Sequence, residues 1–184
     1  MALNKENEIT QNIKIILLGS VKTGKTTFLK KIQGYEVDKD VEYYSTIVGA
    51  NASFIVELEL NNFNLEFWDV SGQEKYYQFI KRFIRNANII FIFYNSYDIS
   101  SFDIAKRLVK ECKERLNKKV FYVLVRSRYD ECLDINDNKN IVSDEEALEY
   151  ADLNDLYFIH YSNFDKNENS FNELLNIYIT NFLN

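Results

Sequence analysis

The chain of 184 residues contains no proline and only 5 glycines. With so few glycines, each is expected where the backbone needs the freedom that only glycine has. Cysteine is equally scarce. Cys112 and Cys132 are isolated and form no C-x-x-C spacing, which excludes a disulfide framework and suggests free thiols in a reducing compartment. The single histidine, His160, follows an apolar strand pattern. It lacks partners for metal or nucleophilic chemistry, so a structural role is expected for it. Long apolar runs are missing too. The longest, such as Ile89 to Phe93, falls far short of the roughly 18–20 residues a membrane span needs. Neither an apolar leader nor a glycine at position 2 for myristoylation is present at the N-terminus. Positive charge is in deficit, with Lys+Arg 22 against Asp+Glu 28 and a net charge of −6. That balance argues against non-specific nucleic-acid binding, which relies on basic surfaces to displace counterions.

What the chain does have is packing material: 46% hydrophobic residues, including 14 Phe and 13 Tyr. A chain of this length can bury about 70% of its unfolded surface, so it needs neither disulfide nor metal to hold a core. Residues 1–184 are expected to form one domain, with a core over about 12–182 and a cytoplasmic location. No repeat or low-complexity tract interrupts it. Apolar runs rich in Ile, Val and Phe alternate with amphipathic stretches, the pattern of an α/β layer architecture.

The run Ile13 to Leu18 is nearly all apolar, as a parallel strand buried on both faces would be. A helix is predicted from about Gly24 to Gln33, followed by a long and therefore functional loop over 34–50. Ser53–Leu60 and Asn64–Trp68 alternate with period two around Asn61-Asn62, which predicts a β-hairpin. The rest reads as a helix over Gln73–Arg85, a strand over Asn88–Asn95, a helix over Ser100–Leu116 and a strand over Lys119–Val125. A loop over Arg126–Asn140 comes next. Ser143-Asp144-Glu145-Glu146 has the capping-box pattern and opens a short helix. A strand over 156–160 and a helix over 168–182 complete six strands and five helices, with only the hairpin strand antiparallel.

The strongest motif is Gly19-Ser20-Val21-Lys22-Thr23-Gly24-Lys25-Thr26, a full match to G-x-x-x-x-G-K-[ST] between a predicted strand and a predicted helix. The two glycines let the backbone curl so that its N–H groups point at phosphate oxygens. The helix start adds its positive dipole end. Lys25 would reach the terminal phosphates and the Thr26 hydroxyl would ligate magnesium, with Thr27 next in line. A second element, Trp68-Asp69-Val70-Ser71-Gly72-Gln73-Glu74, follows the second hairpin strand. There Asp69 can hold magnesium through water, the Gly72 N–H can sense a terminal phosphate, and Gln73 can orient an attacking water as the catalytic residue. Alone, D-x-x-G-Q is also an ordinary strand-end turn. Its position about 43 residues after the phosphate loop gives it meaning.

With both elements in place, the chain resembles the small GTPases of the Ras superfamily, most closely the Rab branch, over about residues 12–182. Trp68 to Glu74 is similar to the family's W-D-T-A-G-Q-E, Ser45-Thr46-Ile47 to S-T-I-G, Phe79 to Ala87 to the stretch ending Y-Y-R-G-A, and Tyr94 to Phe102 to Y-D-x-T-x-x-x-S-F. The resemblance implies a P-loop NTPase G domain that binds GTP and GDP with Mg²⁺ and acts as a monomeric switch. Thr46 becomes a further magnesium ligand beside Thr26 and Asp69. Effector, exchange-factor and GTPase-activating proteins are its implied partners, and vesicle trafficking its implied setting.

The base-recognition elements depart from the family. Val123 to Asp130 aligns with L-V-G-N-K-x-D, so Ser127 replaces Asn and Arg128 replaces Lys. Asp130 is kept, and its carboxylate can accept both N1–H and N2–H of guanine. The Arg128 stem can still cover the ring. Ser162-Asn163-Phe164 stands for S-A-K, and the Asn163 N–H can reach the guanine O6. Lys39 occupies the slot where the family stacks an aromatic ring. Val21 and Lys22 stand where the family has Gly, Ser or Ala. The C-terminus has no prenylation cysteine, so a lipidated tail was removed or membrane attachment goes through a partner. Tyr43, Tyr44, Tyr76 and Tyr77 fall in the two expected switch regions and are either partner anchors or local packing. Two other readings stay open. One is a binding module that holds nucleotide permanently with little turnover. The other is a small phosphotransferase, for which Arg126 and Arg128 are a thin lid.

Overall fold

A computed structural model describes residues 11–35, 49–58, 61–73, 79–116, 119–128, 141–162 and 169–183. The elements run β1 (Gln11–Gly19), α1 (Lys25–Ile32), β2 (Gly49–Leu58), β3 (Asn61–Val70), α2 (Ile80–Ile84), β4 (Ile89–Asn95), α3 (Ile99–Arg115), β5 (Phe121–Arg128), α4 (Asp144–Leu153), β6 (Tyr157–Ser162) and α5 (Asn169–Tyr178). The six strands form one sheet in the order β2-β3-β1-β4-β5-β6, and every pair except β2–β3 is parallel.

The side-chain period of two sorts the central strand between two cores. Ile13, Ile15 and Leu17 pack with Phe28 and Leu29 of α1 and Leu174, Leu175 and Tyr178 of α5. Ile16 and Leu18 face the other way, toward Ile80 and Ile84 of α2, Phe102, Leu108 and Val109 of α3, and Ala147 and Ala151 of α4. Helices on both faces are what parallel strands require, because their connections must cross over the sheet. The parallel register also brings the carboxyl ends of β1, β3, β4, β5 and β6 to one edge. The chain turns opposite ways from β1, with β3 on one side and β4 on the other. Ligands in open α/β sheets bind in the crevice outside the carboxyl ends at such a switch point.

Several predicted boundaries move. Asn61 and Asn62 are not the hairpin turn. They stand in β3 opposite Leu58 and Glu57, because the cross-strand register extends the alternating pattern of Asn61–Val70 two residues further back. Gln73 is not helical and α2 covers only Ile80–Ile84, with 74–78 outside the described residues. Arg126, Ser127 and Arg128 are not loop but the last turnless stretch of β5, each paired with β6. Polar side chains hid a strand end whose backbone is flanked by β4 as far as Ser127 and by β6 as far as Arg128. The last strand likewise runs on to Ser162. The capping box is present: the Glu146 N–H donates to Ser143 Oγ at 3.1 Å. The final helix continues from Tyr178 as a π-helical turn over Ile179–Leu183. Cys112 is buried in the α3 face of the core as a free thiol, while Cys132 lies outside the described residues.

Candidate functional site

Gly19 ends β1 directly beside β4. A Cβ there would stand 2.4 Å from the Phe93 carbonyl oxygen, and its φ of 141° suits glycine alone. Gly24, at φ 84°, is the turn that starts α1. Between them the chain wraps back on itself. Lys25 Nζ donates to the carbonyl oxygens of Gly19 at 3.0 Å and Ser20 at 2.6 Å, and Thr23 Oγ1 donates to the same Ser20 oxygen at 2.8 Å. The loop thus folds around its own lysine. Burial lowers the Lys25 ammonium from 10.5 to about 8, with the Asp69 charge pulling the other way. A buried cation held mainly by neutral oxygens, the two carbonyls and the Thr23 hydroxyl at 3.5 Å, is a strong anion ligand, because an incoming anion relieves its desolvation cost.

Two residues in the loop break the glycine pattern. Val21 is exposed at 42%, and Lys22, also exposed, takes a left-handed φ of 59°. That conformation costs a residue with a Cβ about 1–2 kcal/mol.

Thr26, in the first turn of α1, donates its hydroxyl to Asp69 Oδ2 at 2.5 Å across 43 positions of sequence. Asp69 is buried near the carboxyl end of β3, opposite Leu17 of β1. A hydroxyl and a carboxylate brought together at the strand ends form an all-oxygen donor set, the kind that suits Mg²⁺ rather than a soft metal. Next along the chain, Gly72 presses against the phosphate loop, and Ser71 is buried with its Oγ accepting from the Gln73 N–H at 3.4 Å. Thr27, in the first turn of α1, is buried.

At the neighbouring strand ends, Ser127 is buried and its Oγ donates to the Tyr94 carbonyl at 2.8 Å. Arg128 and Ser162 are opposite each other in the β5–β6 register, at the same sheet edge. The sheet therefore brings Gly19–Thr26, Asp69–Gln73, Ser127–Arg128 and Ser162 to one edge. Thr46, Asp130, Asn163 and Phe164, with Lys39 and the four switch-region tyrosines, lie outside the described residues.

One cluster went unnoticed in the sequence. Arg126 Nη1 lies 2.6 Å from Asp144 Oδ1 and 3.4 Å from His160 Nδ1, and His160 Nε2 lies 3.9 Å from Asp144 Oδ1. The only early signal was an arginine at the end of an apolar run. Its partners are 18 and 34 positions away and meet it only through the β5–β6 register and the start of α4.

A phosphate-type loop between a buried parallel strand and a helix, with a hydroxyl–carboxylate pair beside it at a switch point, defines a P-loop nucleotide-binding α/β domain. Residues 14–181 match the Ras family, and the chain belongs to that family as a small GTPase most like the Rab proteins. It is 32% identical to Ras-related protein Rab5A of Oryza sativa subsp. japonica, over 88% of this chain and 76% of that one. Ras-related protein RABF2a of Arabidopsis thaliana is 32% identical over 82% and 72%. GTP-binding protein ypt5 of Schizosaccharomyces pombe is 27% identical over 85% and 72%. No helix among the described residues is long and apolar enough to cross a membrane.

Proposed function

We propose that this protein is a single G domain that cycles between GTP and GDP with Mg²⁺ and hydrolyses GTP slowly. The observation that carries the reading is the buried Lys25 cradled by the Gly19 and Ser20 carbonyls, one residue from a Thr26 hydroxyl bonded to Asp69. Backbone N–H groups of Gly19 to Thr26, with Thr27, would hold the phosphates, and Lys25 would neutralise their terminal charge. Thr26, Asp69 and Thr46 would hold Mg²⁺, which when bound neutralises charge on the phosphate oxygens. Gly72 would read the terminal phosphate and Gln73 would orient the attacking water. Asp130 would read the base, helped by Ser127, Arg128, Ser162, Asn163 and Phe164.

In this reading residues about 38–50 and 70–82 form the switch, and effector, exchange-factor and GTPase-activating proteins read or drive it. The likeness to Rab proteins makes intracellular vesicle trafficking its setting, with a cytoplasmic or peripheral location. Membrane contact would come through a further tail or a partner.

A specific observation favours a second reading. Val21 presents an exposed β-branched side chain at the loop, where a catalytic water or an arginine finger must fit. The domain then holds nucleotide with little turnover and serves as a binding module.

Calorimetry with GDP, GTP and ADP, with and without Mg²⁺, tests the first reading. Tight Mg²⁺-dependent binding of both guanine nucleotides and weak binding of ADP is expected. Absence of guanine nucleotide binding defeats it. Denaturing the purified protein and identifying the released nucleotide, together with its turnover rate, separates the switch from the permanently loaded module.

A further inference from the structure

The chain enters α4 through a pinned residue followed by an exposed one. Val142 is fully buried, and its N–H donates to the Ser96 carbonyl at 2.9 Å. Ser143, next along, is exposed and extended, at φ −72° and ψ 159°. Its Oγ accepts from the Glu146 N–H, and Asp144, Glu145 and Glu146 follow it directly. Capping and the helix dipole account for a serine at this position and for acidic residues in the first turn. They do not account for what lies beside them.

Arg126 Nη1 is 2.6 Å from Asp144 Oδ1, yet its Nε–H is buried without a hydrogen-bond partner. Tyr94 stands in the same register row, one strand over on β4. It is completely buried, and its hydroxyl also has no hydrogen-bond partner. Burial is the main cause that raises the pKa of this hydroxyl, but the charges of Arg126, Asp144 and Glu146 act on it as well. Two buried donors without partners therefore lie beside the first turn of α4. Unpaired donors are costly, so a strong acceptor brought to them is held firmly.

We propose that Ser143 is a phosphorylation site for a serine/threonine kinase that reads acidic residues following its acceptor, and that Arg126 and Tyr94 receive the phosphate. The Ser143 Oγ attacks the γ-phosphorus of ATP. The bond from that phosphorus to the bridging oxygen breaks and releases ADP, while the hydroxyl proton passes to the kinase's base. Carboxylates in the three positions after the acceptor match a basic substrate cleft. The first turn of a helix frays most readily, so the kinase can draw Ser143 to Glu146 into an extended strand. The product carries a charge of about −1.5 to −2 at neutral pH. Beside Asp144, Glu145 and Glu146 that charge is repelled, whereas at the start of a helix it is attracted. Arg126 decides between the two. With Nη1 on Asp144 and Nε–H unused, its planar fork can take a phosphate oxygen without releasing Asp144.

The test incubates the folded full chain with ATP and a purified kinase selective for acidic residues after serine. Intact mass and fragmentation should show one phosphate, on Ser143, and none in Ser143→Ala. A variant combining Asp144→Asn, Glu145→Gln and Glu146→Gln should be modified about tenfold more slowly. Phosphorus NMR then follows the second ionisation of the phosphate, ordinarily at about pH 6. Arg126→Ala should raise it by about one unit relative to the wild type, because the cation favouring the dianion is gone. Tyr94→Phe, which removes only a hydroxyl, should raise it by less. If Arg126→Ala does not fold, Arg126→Lys takes its place, keeping the charge but not the fork, and should shift the ionisation in the same direction. Ser100 is the internal control, since it is also exposed and has Asp103 three positions on. Phosphate on Ser100 instead, or modification only of urea-unfolded chain, would overturn the site. An ionisation that is the same in wild type and in the Arg126 variants would overturn the receiving role of Arg126.

Discussion

Gly72 and Ser20 meet backbone to backbone. A Cβ on Gly72 would stand 2.5 Å from the Ser20 carbonyl carbon, 2.6 Å from its oxygen and 2.6 Å from the Val21 nitrogen. The need for glycine here is one of space, since the only atoms that can yield are those of the phosphate loop's own backbone. The contact joins the residue proposed to sense the terminal phosphate to the loop proposed to hold it.

Gly72→Ala is therefore expected to displace the loop at Ser20–Val21. Overpacking of this kind costs about 1–3 kcal/mol. A drop in thermal midpoint should accompany a larger loss of affinity for GTP than for GDP. An alanine variant with wild-type midpoint and wild-type GTP affinity would show that the two segments separate freely.

Lys25 and Thr26 point to a different outcome. Neither supplies apolar packing to the two cores, and Lys25 sits in a costly buried position with its ammonium lowered to about 8. Lys25→Ala and Thr26→Asn should abolish tight nucleotide binding while far-UV circular dichroism and cooperative unfolding persist. Wild-type affinity in both variants would mean that the loop does not hold phosphate.

Much of this site was legible in the sequence because the phosphate loop is local. Gly19, Gly24, Lys25 and Thr26 lie within eight residues, so motif, strand and helix can be read together. Asp69 was singled out from its motif and spacing, and in the structure its carboxylate meets the Thr26 hydroxyl. The misreadings share one cause. Arg126–Arg128 look like loop because they are polar, yet β4 and β6 supply their backbone partners. Pairing of that kind depends on strands far away in sequence, and hydrophobic periodicity carries no trace of it. The Arg126–Asp144–His160 cluster was invisible for the same reason.

Val21 bears on turnover. In the proposed reading a β-branched side chain at the loop would compete for space with Gln73 and with any arginine supplied by an activating protein, a contribution worth roughly 10³–10⁵ in rate. Val21→Gly should raise hydrolysis measured in single turnover, and Gln73→Leu should abolish it in either background. Fast hydrolysis by the wild type, or no gain in the glycine variant, would defeat the steric argument.

Base recognition can be separated from phosphate binding through Asp130. The Ser127 hydroxyl donates to the Tyr94 carbonyl, so in the proposed reading the Asp130 carboxylate carries the guanine edge. Adenine offers an unprotonated N1 and no 2-amino group, and each buried polar group left unpaired costs about 1–3 kcal/mol. Asp130→Asn should shift preference from GDP toward XDP, because an amide can donate to the 2-oxo group and still accept from N1–H. Competition of GDP, ADP and XDP against a labelled nucleotide measures this. A variant that gains nothing for XDP would show that Asp130 does not read the base.

The last expectation concerns pH and the core rather than the site. Cys112 is fully buried in α3 against β4 and β5, and burial pushes its thiol from 9.0 up to about 12, with Glu111 adding to the rise and Arg115 opposing it. The folded state thus keeps the proton where the unfolded chain gives it up. The thiol's contribution is fully present below about pH 9. It declines as the unfolded thiol ionises, and its loss is complete once pH passes the folded value near 12. At 1.36 kcal/mol per unit, the full window is worth about 4 kcal/mol. Tyr122, raised to about 12 by burial with a contribution from Cys112, and Tyr94, also raised by burial, add their own pH dependence as their unfolded forms ionise. The thiol must therefore be isolated by difference. Urea unfolding of wild type and Cys112→Ala from pH 7 to pH 10.5 should show the variant less stable at neutral pH, because a buried side chain has been trimmed. The gap should then close steadily above pH 9, as the wild type alone loses the thiol's share. A gap that stays constant across the range would mean that the buried thiol ionises as readily in the folded protein as in the unfolded chain.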